Sequence, residues 1–161
     1  MYLRNTIMGA TDGLVSTVGL LAGINVTGVT RSFIILTGII YIFVEAFSMG
    51  IGSFLSEESA EMGSNRKSLS VSVTGGVVMF TAFVIAAFIA LVPYMIASGP
   101  IALWLSIFLS LATLFGASLL VRLVSKRISR RRLLQHATQM VLLGGCAILI
   151  GVAIGKYVHV G

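Results

Sequence analysis

The sequence predicts an all-α integral membrane protein with five transmembrane helices. Its 161 residues are 57% hydrophobic and 10% charged, and the mean hydropathy is +1.06. Soluble domains carry about 25% charged residues on average, so this composition excludes an ordinary water-soluble domain. The apolar residues fall into five runs, and each is close to the ~20 residues that cross the hydrocarbon core of a bilayer.

The five predicted helices lie close together along the chain. Their approximate ranges are 6–26, 33–55, 71–92, 101–123 and 138–158. The runs are long and lack strict alternation of apolar and polar residues, which favours helices over a β-barrel. The longest connection is the acidic segment 56–70. We therefore expect a single transmembrane domain over residues 1–161.

The predicted ends of the helices depend on local signals. Asp12 interrupts the first apolar run and no small-residue cleavage site follows, so we expect a helix of the mature protein rather than a cleaved signal. Pro93, Gly99 and Pro100 predict a tight turn between the third and fourth helices. The single cysteine, Cys146, has no partner for an intramolecular disulfide, so the chain gives no sign of an oxidising compartment.

The distribution of Lys and Arg predicts the orientation in the membrane. Nine of the 11 basic residues fall on one side of the predicted bundle. The positive-inside rule then places the N-terminus, segment 56–70 and the connection between helices 4 and 5 in the cytoplasm, and the C-terminus outside. The basic run 125–132 is short and lacks aromatic residues, so we expect a topology anchor beside the lipid bilayer and no nucleic-acid partner.

Two carboxylates within the apolar runs predict a functional site. Asp12 lies in the first helix and Glu45 in the second, and an acidic side chain at the centre of a membrane helix costs ~2.5–3.5 kcal/mol. No basic residue lies at a matching depth to form an ion pair. Neutral carboxyls bonded to hydroxyl groups remain as a purely structural alternative.

A methionine and the first carboxylate are expected at one depth. Asp12 and Met49 each lie about 9 Å from the cytoplasmic end of their helix, at 1.5 Å per residue, and Glu45 is one turn deeper. Carboxylate oxygen together with thioether sulfur suits a first-row transition ion better than magnesium or calcium. A lone methionine in a membrane helix is usually an apolar filler. Met49 is a candidate metal ligand only because Asp12 and Glu45 are expected nearby.

Three further acids follow the second helix. Glu57, Glu58 and Glu61 would concentrate cations at a solvent-exposed cytoplasmic entrance. They would equally suit an ordinary solvated surface, and the sequence leaves both interpretations open.

The stretches GATDGLVSTVGLLAGI (9–24) and EAFSMGIGSFLS (45–56) resemble the vacuolar iron transporter family and its bacterial and archaeal relatives. The resemblance covers about the first third of the chain. It implies exchange of cytosolic ferrous iron, and often manganese, for protons, along a path between two protomers lined by Asp12 and Met49. It also implies a metal role for Glu45, although some members carry their second-helix acid where this chain has Tyr41.

The family resemblance further implies a short type in a prokaryotic cytoplasmic membrane. Many members carry a long glutamate-rich metal-binding domain between helices 2 and 3, whereas here only segment 56–70 stands at that place. We therefore expect transport of Fe²⁺ or Mn²⁺ out of the cytosol with protons as the coupling ion, and no bound cofactor.

A homodimer is expected from the first helix. Gly9, Asp12, Ser16, Gly19 and Gly23 share one helical face, and small residues let helix backbones approach closely in lipid. A two-fold axis along this face would bring together two copies of each candidate ligand. The glycines alone, including those of the fifth helix, are also typical of packing within one chain.

Two classes of membrane enzyme require residues that this sequence lacks. A lipid head-group transferase needs further aspartates, and Asp12 is the only one in the chain. An intramembrane metalloprotease needs a motif such as H-E-x-x-H, which is absent from the sequence. We therefore expect no enzyme and no catalytic residues. A proton-coupled exporter of organic cations and a structural assembly protein remain as alternatives.

Overall fold

Five α-helices form the part of the chain that the structure, a computed structural model, describes: residues 2–62, 69–124 and 130–158. They are α1 (Tyr2–Asn25), α2 (Arg31–Met62), α3 (Leu69–Ile96), α4 (Gly99–Val124) and α5 (Arg130–Tyr157). The predicted five-helix, all-α architecture is confirmed. The first four are long and apolar enough to cross a membrane, and α5 has a shorter apolar part, Val141–Tyr157.

Two predicted helix ends are wrong. Helix α2 continues through Glu57 and Glu58 to Met62, so much of the predicted acidic connection 56–70 is helical. Its residues Glu, Ala and Met are good helix formers, and no Gly or Pro interrupts them. Helix α3 continues past Pro93 to Ile96, and Pro93 is a buried residue of the helix rather than part of the turn. Residues 63–68 lie outside the described part of the chain.

The turns between α1 and α2 and between α3 and α4 are short, and glycine, proline and arginine residues shape them. Gly28 has a φ of 78° between α1 and α2, and Gly99 has a φ of 63° where α4 begins, a conformation that suits glycine. Pro100 follows in the first turn of α4, where its missing N–H costs no helical hydrogen bond. Arg31 donates hydrogen bonds to the carbonyl oxygens of Tyr94 and Met95, and so satisfies the end of α3.

Helix α1 lies at the centre of the bundle. It runs parallel to α3, because Gly9 contacts Met79 and Gly13 contacts Phe83. It runs parallel to α5 as well. That contact is made by small residues: Gly19 contacts Ala147, Gly23 contacts Gly151, and Gly155 contacts Gly23. Small residues thus bring three backbones together, as expected for helices packed in lipid.

These contacts correct part of the dimer prediction. Gly9, Gly19 and Gly23 were expected to face a second copy of α1, but they contact α3 and α5 of the same chain. Packing within the chain, the alternative left open for these glycines, is what the structure shows. The seam on α5 is confirmed at Gly151 and Gly155.

Apolar side chains fill the interior and also cover the outside. The main buried cluster is formed by residues of α1 to α4 and includes Leu21, Ile42, Phe83 and Leu91. On the outer faces, large apolar side chains are exposed, for example Phe108, whose exposed fraction is 73%. Such a surface fits a bilayer and not water.

Candidate functional site

A row of side chains at a spacing of four residues runs along α2. It consists of Tyr41, Glu45, Met49, Ser53 and Glu57. Residues four apart lie on neighbouring turns of one helical side, and contacts at both ends of this row show that it borders α1. The polar groups of α1 and α2 therefore meet along the boundary between these two helices.

One stretch of this boundary carries both predicted intramembrane carboxylates, Asp12 and Glu45. The Tyr41 phenol shares a hydrogen bond with the Ser16 side chain and interacts electrostatically with Glu45 and Asp12. The Ser16 hydroxyl also donates to the backbone carbonyl of Asp12. All four residues are half-buried. We call Asp12, Ser16, Tyr41 and Glu45 the central cluster.

The register of α1 against α2 sets the level of Met49. The two helices are antiparallel, because Asn5 contacts Glu57 at one end and Ser16 contacts Tyr41 further along. Interpolation between these two contacts places Asp12 opposite the turn of α2 that lies between Glu45 and Met49. The Met49 side chain is half-buried and packs against the main apolar cluster.

The central cluster offers a mixed set of donors for a cation. Its two carboxylates and its hydroxyl and phenol groups are hard oxygen donors, and Met49 one turn from Glu45 adds a soft sulfur. Among the described residues, no group of three His, Cys, Asp or Glu side chains comes together within one chain.

The structure separates Glu57 from the predicted solvent-exposed entrance. Its side chain is 6% exposed, so the expectation of a solvated Glu57 is wrong. The Asn5 amide donates to Glu57 Oε1 over 2.6 Å and lies 3.1 Å from Ser53 Oγ. Because α2 is continuous, Glu57 faces α1 and α3. The sequence predicts a loop at this position and therefore does not indicate that contact.

The other two cytoplasmic acids remain candidates. Glu58 is half-buried on the last turns of α2. Glu61 belongs to the same helix, and its side chain lies outside the described part. Their proposed contribution to a cation entrance stays a prediction.

Sequence reasoning missed Asn5, Ser53 and the partnership of Ser16 with Tyr41. The sequence did contain a signal for Asn5. Asn5 lies seven residues, or two turns, before Asp12 on the same side of the helix, and a carboxamide within a membrane helix needs a partner. Ser53 extends the row from Glu45 by two steps of four residues. Neither pattern reveals which helix supplies the partner.

Comparison with known proteins identifies the family. The model of the VIT family matches residues 3–69 and 59–156, which together span most of the chain. The chain belongs to the VIT family. It is therefore a member of a transporter family and not an enzyme, and its long apolar helices make it an integral multi-pass membrane protein.

Two plant relatives of this VIT-family chain match over 55 residues. Vacuolar iron transporter homolog 3 of Arabidopsis thaliana is 42% identical over that segment, which is 34% of this chain and 28% of the relative. Vacuolar iron transporter homolog 1 of Oryza sativa subsp. japonica is 38% identical over 34% of this chain and 24% of the relative. The matched segment thus spans about a quarter of the length of each relative.

Proposed function

We propose that this VIT-family protein transports a divalent transition metal, Fe²⁺ with Mn²⁺ as a second substrate, out of the cytosol in exchange for protons. The names of its relatives, vacuolar iron transporter homologs, support metal transport. The proposal includes a cytoplasmic N-terminus, an outside C-terminus and a prokaryotic cytoplasmic membrane. The metal is cargo, and no resident cofactor is involved.

The observation that carries the proposal is the central cluster. Asp12 and Glu45 lie on membrane-spanning helices and share Tyr41 as a neighbour. Two ionised carboxylates in such a place are costly unless a positive charge compensates them. One divalent ion or two protons would do so equally well, and alternating occupancy by the two would couple metal movement to proton movement.

Met49 supplies the preference for a transition ion in this scheme. Met49 lies on the row that carries Glu45, one turn from it, and Asp12 lies opposite the turn between the two. Thioether sulfur binds first-row transition ions better than Mg²⁺ or Ca²⁺. A second copy of the chain would double the ligands, which is why we include a homodimer in the proposal.

Metal flux into proteoliposomes tests the function. We expect Fe²⁺ and Mn²⁺ uptake that is driven by an imposed pH gradient and accompanied by proton movement in the opposite direction. Asp12→Asn should reduce the flux at least tenfold, because it removes one of the two compensating charges. Cys146→Ala, a change at an exposed position of α5, is the matched control and should transport normally.

Three outcomes would contradict the proposal. Proton flux stimulated by lipophilic organic cations and not by metals would favour the drug-exporter alternative. Metal flux without proton movement would remove the exchange mechanism. Full transport by Asp12→Asn would remove the central cluster from the path.

A further inference from the structure

A second polar cluster, separate from the central one, joins three helices. It is formed by Asn5 on α1, Ser53 and Glu57 on α2, and the backbone carbonyl of Gly75 on α3. The exposed fractions of the three side chains are 1%, 9% and 6%. Asn5 lies seven residues before Asp12, so this cluster is about 10 Å closer to the N-terminal end of α1 than Asp12 is, at 1.5 Å per residue.

The hydrogen bonds within this cluster do not satisfy its oxygens. Asn5 Nδ2 lies 2.6 Å from Glu57 Oε1, 3.1 Å from Ser53 Oγ and 3.3 Å from the Gly75 carbonyl oxygen. A carboxamide nitrogen carries two hydrogens and cannot serve three acceptors fully. The other carboxylate oxygen, Glu57 Oε2, is buried and has no hydrogen-bond partner.

Among the described residues, the Glu57 carboxylate has no compensating charge beside it. Within the described residues, Asn5 is the partner of Glu57 Oε1 and Oε2 has none, so no Lys or Arg side chain pairs with Glu57. A buried carboxylate without a cation or full hydrogen bonding is strongly unfavourable. An ionised Glu57 would therefore supply both the charge and the unsatisfied oxygen of a cation site.

Gly75 lets the carboxylate approach the backbone of α3. A Cβ atom at this position would overlap both Glu57 carboxylate oxygens, so any larger residue would displace the carboxylate. The two ends of a carboxamide are similar in size, and a half-turn of the Asn5 amide would replace Nδ2 by Oδ1. The cluster would then present five oxygens: two from Glu57 and one each from Ser53, Asn5 and Gly75.

We propose that Asn5, Ser53, Glu57 and Gly75 form a binding site for a hard monovalent cation of the Na⁺ type. All of its ligands would be oxygens, the donor type that hard cations prefer. The single carboxylate compensates one positive charge and not two. The absence of sulfur and of a second carboxylate from this ligand set distinguishes it from the proposed transition-metal site at Asp12 and Met49.

Thermal unfolding of the purified full chain in detergent tests this site without any transport measurement. Tm is measured at constant ionic strength in NaCl, KCl or N-methylglucamine chloride. A ligand that binds the folded state at tenfold excess over its Kd should raise Tm by about 3–6 °C. We expect a saturable rise with Na⁺, a smaller one with K⁺ and none with N-methylglucamine.

Two carboxyl variants locate the effect. Glu57→Gln keeps the size of the side chain and removes the charge, so the Na⁺-dependent rise should disappear. Glu58→Gln, the matched loss of charge at the next position, should keep it. Asn5→Asp adds a second carboxylate and should transfer the stabilisation from Na⁺ to Mg²⁺ or Mn²⁺, which keeps the test decisive if Glu57→Gln fails to fold.

Each remaining outcome would overturn the proposal. Equal Tm values for the wild type in all three salts would mean that the cluster only holds the helices together. A Na⁺ response that survives in Glu57→Gln would place Na⁺ elsewhere. A rise that depends on Glu57 and requires a divalent ion in the wild type would refute the monovalent assignment.

Discussion

Met49 is the residue at which selectivity and packing are most closely combined. Its side chain packs against the main apolar cluster, as any filler would, yet it lies one turn from Glu45 on the row that borders α1. The thioether sulfur is the metal-binding group that distinguishes Met49 from a leucine of similar volume. The two roles can therefore be separated by a substitution that keeps the volume.

We expect Met49→Leu to fold normally and to lose selectivity. Volume-conserving apolar changes cost less than about 1.5 kcal/mol, whereas removal of sulfur should reduce Fe²⁺ and Co²⁺ flux several-fold relative to Mn²⁺. The measurement is competitive metal flux into proteoliposomes. Met8→Leu, at an exposed methionine of α1, is the control. Unchanged flux ratios in Met49→Leu would return Met49 to a role in packing alone.

The sequence predicts some residues of the polar boundary and not others, for a physical reason. Asp12 and Glu45 stand out because a carboxylate in an apolar run is costly wherever its partner lies. Asn5, Ser53 and Tyr41 are uncharged, so placing them in a membrane helix costs less free energy and they do not stand out in the sequence. Their significance arises from contacts between helices, and only the three-dimensional register of α1, α2 and α3 shows those contacts.

Packing at the level of helices depends on which glycines face another backbone. Gly151 of α5 faces Gly19 of α1, and a Cβ atom there would overlap the Gly19 carbonyl oxygen. Gly145 of the same helix has nothing within 4 Å of such an atom. One helix thus contains a matched pair of glycines, one in a close contact and one in open space.

We expect Gly151→Ala to destabilise the bundle and Gly145→Ala to leave it unchanged or slightly more stable. Forcing an extra methyl group into a tight contact typically costs about 1–3 kcal/mol, while alanine in an open helical position favours the helix. The measurement is the thermal stability of the two variants in the same detergent. Equal stability of the pair would mean that α5 does not pack on α1 as described.

The helices themselves were predictable, and their ends were less so. Long apolar runs give the number and order of the helices because the bilayer sets their length. Helix α2 exceeds that length, since nothing in Ser56–Met62 stops a helix and the buried Glu57 packs against α1 and α3. Pro93 lies inside α3, close to its end at Ile96, and membrane helices tolerate proline because neighbouring groups can satisfy the freed backbone carbonyl.

At the scale of the whole molecule, the main question is what covers the boundary between α1 and α2. Asp12 and Glu45 are only half-buried in one chain, although both lie on membrane-spanning helices. Beside their row, α2 exposes the small residues Ser48, Gly52 and Ser56 at a spacing of four. Small residues permit close approach of another helix. A homodimer therefore stays our prediction, with this exposed face of α2 replacing the glycines of α1 as its contact.

Cysteine cross-linking tests this arrangement in a Cys146→Ala background. We expect Ser48→Cys to cross-link between protomers with a short reagent, because the two-fold axis would pass beside the α2 face. Leu142→Cys is the control, since Leu142 is exposed on α5 and lies at a similar depth, as the contact of Gly144 with Val15 indicates. Bound Mn²⁺ should change the yield for Ser48→Cys, because ions shared by the two copies would fix the distance between them. Equal cross-linking of both variants, or a monomer that transports metal in liposomes, would refute the shared path.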